Sequence, residues 1–305
     1  MTYNTVSFKK IDSNFNVRGE TCSGNLYLPG HIECPPIIVM AHGFAAEKCF
    51  RLPAFAERFA LAGFAVYLFD YRNFGESSGE PRNYVNPFRH LQDWHGAIDH
   101  VKTIKEIDSK RIALWGSSFA GGHVITVAAR RNDITGLISQ VPFVDGISSM
   151  RLAKISELLK ALLYGFYDIV KTFYTNSPYY VKAVGKPGEI AAMNSVESWD
   201  GFHAMIPEDS KWENKIPAKV FLLIPFYSPL IMAKKVKCRS LIIAAENDSL
   251  IPVKAVIKTA QRIENSKLVI LKSNHFQPYF NDLFEENIKT EINFLKEILT
   301  ENRDN

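Results

Sequence analysis

The segment Arg111-Ile112-Ala113-Leu114-Trp115-Gly116-Ser117-Ser118-Phe119-Ala120-Gly121-Gly122 limits the fold more than any other stretch of the chain. A short apolar run ends in a serine flanked by small residues and continues as a helix-like segment. At a strained strand-to-helix corner the residue two before the serine and those two or three after it must be small, because the backbones approach one another there. Gly116, Ala120 and Gly121 meet that need around Ser118. Ser117 would have Trp115 and Phe119 in those places, so Ser118 is the residue presented as a nucleophile. Ala120 departs from G-x-S-x-G by one methyl. Many strand-to-helix turns carry small residues for packing alone, so the rest of the chain must supply partners before this serine carries chemistry.

Around the corner, strand-like and helix-like segments alternate. Thr5-Val6-Ser7-Phe8 and Gly24 to Pro29 read as short strands about the polar turn Asp12 to Asn16, a hairpin at one edge of a sheet. Ile37-Ile38-Val39-Met40 is the unbroken apolar run of a strand buried on both faces, and it stops at Ala41-His42-Gly43-Phe44. Helical spacing over Pro53 to Leu61, a strand at Ala65 to Asp70, a Gly/Ser/Pro-rich loop over Tyr71 to Asn83 and a helix over Pro87 to Ile104 precede the elbow. Gly136 to Pro142 reads as the following strand. The pattern resumes with a strand at Leu241 to Ala245, a helix over Val253 to Ile263, a strand at Lys267 to Leu271 and a last helix from about Asn281 to Leu299. Such alternation predicts an α/β fold, a mainly parallel sheet flanked by helices, with residues 1–145 and 238–305 as its core.

Between them, residues 146–237 show mostly helical spacing and read as an inserted helical cap. In the helix expected over Ile155 to Tyr174, Glu157, Lys160, Asp168 and Lys171 fall on one side, the side expected in water. The broad apolar face of Leu158, Leu159, Leu162, Leu163, Phe166, Ile169 and Val170 is expected to pack on the sheet domain, with Leu159 and Leu163 as the substrate-binding wall of the pocket. A membrane-surface helix would carry more lysine and arginine on its polar face. Tyr179, Tyr180, Trp199, Phe202, Trp212, Phe226 and Tyr227 could line a pocket in the same insert, but aromatics are more often core and none is given a role singly.

Chemistry needs a base and an acid after Ser118. His275 lies in a loop after a strand, whereas His95, His100 and His123 lie inside expected helices, where a structural role is the default. Two aspartates compete for the acid: Asp145 beyond the strand after the elbow, and Asp248 after the later strand. The loop after the later strand is the usual location, which favours Asp248. The chain order Ser118, Asp248, His275 is that of an α/β-hydrolase triad.

With His42-Gly43-Phe44 after the third strand, Asp70-Tyr71-Arg72-Asn73-Phe74-Gly75-Glu76-Ser77 after the fourth and the elbow after the fifth, the chain resembles the α/β-hydrolases over nearly its whole length. Within that superfamily it is most similar to dienelactone-hydrolase-like and acetyl-xylan-esterase-like members, a group that also includes fungal polyketide acyl transferases. The resemblance implies an oxyanion hole from the backbone N–H groups of Phe44 and Phe119, with His42 shaping that loop by hydrogen bonding. It implies a serine hydrolase cleaving an ester or thioester of a small to medium acyl group through an acyl-enzyme. An acyl transferase with the same triad and a non-catalytic ligand-binding member of the fold are the alternatives, and peptidase or lipase activity is open, although a cap favours an enclosed pocket over a groove for a polymer.

Composition narrows the partners. The 305 residues carry a net charge of +4, with bases and acids interspersed, so no stripe for a nucleic-acid backbone emerges. Cys22, Cys34, Cys49 and Cys238 show neither C-x-x-C nor histidine-paired spacing and follow no signal peptide, the expectation for buried or half-buried free thiols in a cytoplasmic protein. No apolar run reaches the length of a membrane span. Gly116 to Gly122 lacks a Walker lysine and the G-x-G-x-x-G spacing, so no cofactor, and no metal, is expected. A small-molecule acyl substrate is the expected partner. The oligomeric state is left open, with a homodimer among the options.

Overall fold

Runs of β-branched and aliphatic residues that alternate with amphipathic segments here become a doubly covered sheet. The computed structural model describes residues 7–300. Thr5 and Val6 of the expected first strand lie outside the described residues. The chain opens with β1 (Phe8–Asp12), a short hairpin of β2 (Phe15–Val17) and β3 (Glu20–Cys22), and β4 (Gly24–Pro29). Arg18 and Gly19 both take positive φ, the two-residue turn whose twist suits a hairpin. There follow β5 (Pro36–Ala41), α1 (Leu52–Leu61), β6 (Ala65–Phe69), α2 (Pro87–Val101), β7 (Asp108–Ser117), α3 (Phe119–Ala128) and β8 (Gly136–Gln140). The inserted region holds α4 (Gly146–Met150), α5 (Ile155–Thr175), β9 (Tyr180–Val184), β10 (Ala191–Met193), α6 (Val196–Met205), β11 (Ile216–Pro217), α7 (Val220–Leu223) and α8 (Pro229–Met232). The chain then returns to the sheet with β12 (Arg239–Ala245), α9 (Val253–Ala260), β13 (Ser266–Leu271) and α10 (Asn281–Thr300).

Eight strands form one sheet in the order β1-β4-β6-β5-β7-β8-β12-β13. β1 and β4 are antiparallel to their neighbours, and the pairs from β6 to β13 are parallel. The fold is therefore the α/β-hydrolase architecture, a mostly parallel sheet with a largely helical insertion after β8. The insertion also contains a three-stranded sheet, β10-β9-β11, which its helical spacing had not indicated. Because side chains alternate along a strand, Ile37, Val39 and Ala41 of β5 join the core under α2 and α3, and Ile38 and Met40 join the core under α1 and α10. Among the described residues no helix is long and apolar enough to cross a membrane. The four cysteines are free, but Cys34 and Cys49 are exposed rather than buried.

A polar chain is buried on the α10 side of the elbow. The Glu291 carboxyl accepts from Trp115 Nε1 at 3.1 Å and from Asn287 Nδ2 at 3.3 Å. Asn287 Nδ2 also donates to Gln140 Oε1, and Gln140 Nε2 donates to Ser117 Oγ at 2.9 Å. Complete burial raises the Glu291 pKa from 4.5 to about 8. Between those values the folded chain keeps a proton that the unfolded chain releases, so this group's contribution to stability declines as pH rises through that window and levels off above about 8. Glu291→Gln keeps the shape and removes the ionisation. Its unfolding free energy in urea should therefore lose a slope of up to about 1.4 kcal/mol per pH unit that the wild type shows over this range; parallel profiles for the two proteins would contradict the assignment.

Candidate active site

The elbow is built by close backbone contact. Ser118 adopts φ 57° and ψ −121°, and a Cβ on Gly116 would collide with the Ala120 carbonyl. β8 and its following loop hold the turn: Ser118 N donates to Gln140 O at 2.9 Å, and Ser118 O accepts from Phe143 N at 2.9 Å. Ser117 points the other way. Its buried hydroxyl lies 2.5 Å from Tyr279 OH and accepts from Gln140.

Loops after β12 and β13 bring the other two candidates to this corner. His275 Nε2 lies 3.0 Å from Ser118 Oγ, and His275 Nδ1 lies 2.7 Å from Asp248 Oδ2. The second oxygen, Asp248 Oδ1, accepts from Leu250 N and Ile251 N, both at 2.8 Å, which fixes the carboxylate toward the imidazole. Asp145 is elsewhere occupied: it caps α4, accepting from Ser148 N at 3.0 Å. Between the two aspartates weighed on sequence, only Asp248 reaches the histidine.

The loop after β5 passes close to the serine, where a Cβ at Gly43 would stand 3.3 Å from Ser118 Cβ. The Phe44 and Phe119 rings meet edge to face at 5.5 Å. Phe119 N is the first amide of α3, one of those with no intrahelical acceptor. His42 is buried behind this loop, with Nδ1 3.0 Å from Gly43 O and Nε2 accepting from Tyr71 N. Desolvation lowers its pKa to about 4, so it is a neutral brace near pH 7. Asp70 anchors the same loop through Lys48 N at 2.7 Å and Lys48 Nζ at 2.9 Å.

A cavity of about 320 Å³ opens over Ser118, walled by Phe44, Phe119 and Phe143 below and by Leu158, Leu162 and Phe221 of the insertion above. A smaller cleft of about 30 Å³ at the same serine is bounded by Gly43, Met193, Phe202 and His275. Leu159 and Leu163 do not line the cavity. They stand 57% and 69% exposed, and the wall is made instead by their neighbours Leu158 and Leu162. The reason is a rotation of α5. Asp168, expected in water, is buried, where its carboxylate accepts from Tyr179 N at 2.7 Å and Lys219 N at 2.8 Å. Satisfying two loop amides turns Asp168 inward and carries Leu159, Leu163, Phe166 and Val170 outward, while Leu158 and Leu162 stay at the cavity wall.

Fold and site together define a serine hydrolase of the α/β-hydrolase type. The family model described as "Serine aminopeptidase, S33" matches residues 34–275, and the chain belongs to that family. It is 34% identical over 296 residues, 97% of each chain, to the quorum-quenching protein AidA of Acinetobacter baumannii (strain MDR-ZJ06). It is 38% identical over 144 residues, 47% of this chain and 43% of the relative, to the thiohydrolase aneE of Aspergillus aculeatus. Among solved structures, the α/β-hydrolase GrgF from Penicillium sp. sh18 superposes with a TM-score of 0.84 at 24% identity, covering 95% of this chain and 99% of that one.

One residue at the site carries no motif. Glu197, on α6 of the insertion, accepts from His275 N at 2.6 Å and from Ser249 N at 3.3 Å, bridging the loops that hold the base and the acid. A single glutamate in an irregular insert gives no sequence signal, because its partners are backbone amides. As a positioning residue it should act on turnover. Glu197→Ala is expected to lower kcat for a small ester about tenfold, the scale of one lost charge-assisted hydrogen bond, with KM little changed and Glu197→Gln intermediate. A wild-type kcat in Glu197→Ala would remove the role.

Proposed function

We propose that this chain hydrolyses an ester or thioester of a small to medium acyl group through an acyl-enzyme on Ser118. The observation that carries the reading is the unbroken chain Ser118 Oγ, His275 Nε2, His275 Nδ1, Asp248 Oδ2, with links of 3.0 and 2.7 Å, under an apolar cavity. Asp248, accepting a hydrogen bond from Nδ1–H, keeps Nε2 unprotonated and ready to take the proton of Ser118 as its oxygen attacks the carbonyl carbon. The oxyanion so formed is stabilised by the N–H groups of Phe44 and Phe119, each of which typically contributes about 3 kcal/mol in such a site. Protonated His275 gives its proton to the departing alcohol or thiol, and water repeats the sequence on the acyl-enzyme. The inserted region acts as a cap that sets acyl specificity.

Acyl transfer to an alcohol or amine through the same acyl-enzyme is the second reading, and several fungal relatives are named polyketide transferases. The Acinetobacter relative is named for quorum quenching, so small signalling molecules that carry an ester join the substrate class worth testing. The free thiols fit a reducing compartment such as the cytoplasm.

A fluorophosphonate probe should label the wild type and spare Ser118→Ala. Asp248→Asn should lower kcat by about four orders of magnitude in a folded protein, and Asp145→Asn should be mild; the reverse ranking would overturn the acid assignment. On a graded ester panel, Leu158→Ala and Leu162→Ala should move the preferred acyl length upward, at about 1 to 3 kcal/mol of discrimination per methylene, whereas Leu159→Ala should leave the profile in place. A profile that shifts only with Leu159 would put the acyl group elsewhere.

A further inference from the structure

Helix α5 shows solvent its most apolar side. Leu159, Leu163, Phe166, Val170 and Phe173 follow the spacing 4-3-4-3, and each is between 52 and 79% exposed. Ile155, Tyr167, Ile169 and Tyr174 flank them and are also exposed. The spacing is that of a seam made for another helix, in which every residue of the line faces the partner along the full length of the contact. Within the chain, α5 packs through its opposite side, where Gly165 lies against Leu222 of α7 and Asp168 is buried.

We propose that this face is the two-fold interface of a homodimer, in which α5 packs antiparallel on α5 of a second copy. Weighted by exposure, at about 200 Å² for a large side chain, the nine residues offer roughly 1,100 Å² of apolar surface, above the roughly 800 Å² per partner of a standard stable interface. A two-fold axis near Phe166, the middle of the seam, sets the Leu159 end of each helix against the Phe173 end of the other, so Leu159 meets Phe173 and Leu163 meets Val170 on both sides of the axis. The charge pattern agrees with a self-partner. On the outer turns of α5 the charged residues are Glu157, Lys160 and Lys171, and Lys171 Nζ is held 2.9 Å from Pro178 O. An anionic partner or a lipid surface calls for basic residues along both borders of the face, which α5 lacks.

Sedimentation of the intact chain tests the proposal. At about 10 μM, a concentration at which an interface of this size stays associated, the wild type should sediment as a dimer. The double variant Phe166→Glu, Val170→Glu should sediment as a monomer, with a dimer Kd raised at least about a hundredfold, and with the far-ultraviolet circular dichroism of the wild type. Ile231→Glu, which charges an exposed apolar residue on α8, should leave the dimer intact. A monomeric wild type overturns the interface, as does a dimer that survives the double variant. Dissociation by Ile231→Glu would move the contact off α5. A wild type that remains monomeric and co-sediments with phosphatidylcholine vesicles would give the face to a lipid surface instead.

Discussion

The elbow depends on holding one residue in a backbone conformation it would not otherwise choose. Ser118 sits at positive φ, a conformation that for a non-glycine residue costs on the order of 1 to 3 kcal/mol. Two bonds to the adjacent strand and its loop, from Ser118 N to Gln140 O and from Phe143 N to Ser118 O, fix both sides of the turn. They require β7 and β8 to be neighbours in parallel register, and Gly116 to have no side chain where Ala120 crosses. A corner of this kind lifts the hydroxyl clear of the sheet and leaves the first amide of α3 beside it.

The strain is carried by a floor that combines polar groups with close packing. Ser117, Gln140, Asn287, Glu291 and Tyr279 link β7, β8 and the C-terminal segment through buried hydrogen bonds, so the elbow cannot shift without breaking several at once. Such a network fixes position better than it adds net stability, since each buried polar group has already lost its water. The high pKa of Glu291 follows from the same burial: a neutral carboxyl is the form this floor accommodates.

Much of this was legible in the residues, and the exceptions share a cause. The inner strands of the sheet, the elbow and the meeting of His275 with Asp248 rather than Asp145 follow from apolar runs and from the loops that end them, and those are local signals; the first strand, expected at Thr5 to Phe8, instead runs over Phe8–Asp12. The inner strands β5 to β8 and β12 are covered on both faces, so their apolar runs have one meaning, whereas the edge strands β1 and β13 stand partly in solvent. The insertion is different. Its longest helix has a strong apolar side, and the usual inference, that this side faces the domain, fails because Asp168 is needed inward to accept from Tyr179 N and Lys219 N, and Gly165 must admit Leu222. Two backbone amides in remote loops outweighed the side chain's preference for water, and nothing near Asp168 in sequence announces them. The small sheet β10-β9-β11 escaped for a similar reason, since strands of two to five residues carry too few alternations to be read.

The insertion also reaches the loops that carry Asp248, His275 and Phe44. Asp248 and His275 lie on different loops, and Phe44 on a third, with no secondary structure common to all. Glu197 joins the first two through Ser249 N and His275 N, and Trp212 Nε1 donates to Ala45 O at 2.8 Å, steadying the third next to Phe44. Ala45 itself is at positive φ, so that carbonyl is held in a turn that its own backbone does not favour. The sheet places the three loops at one edge, and side chains from the insertion hydrogen-bond to each of them. A change in the insertion that resizes the acyl wall therefore acts on a body that also carries Glu197 and Trp212, and its effect on kcat depends on whether α6 and the segment after it keep their places.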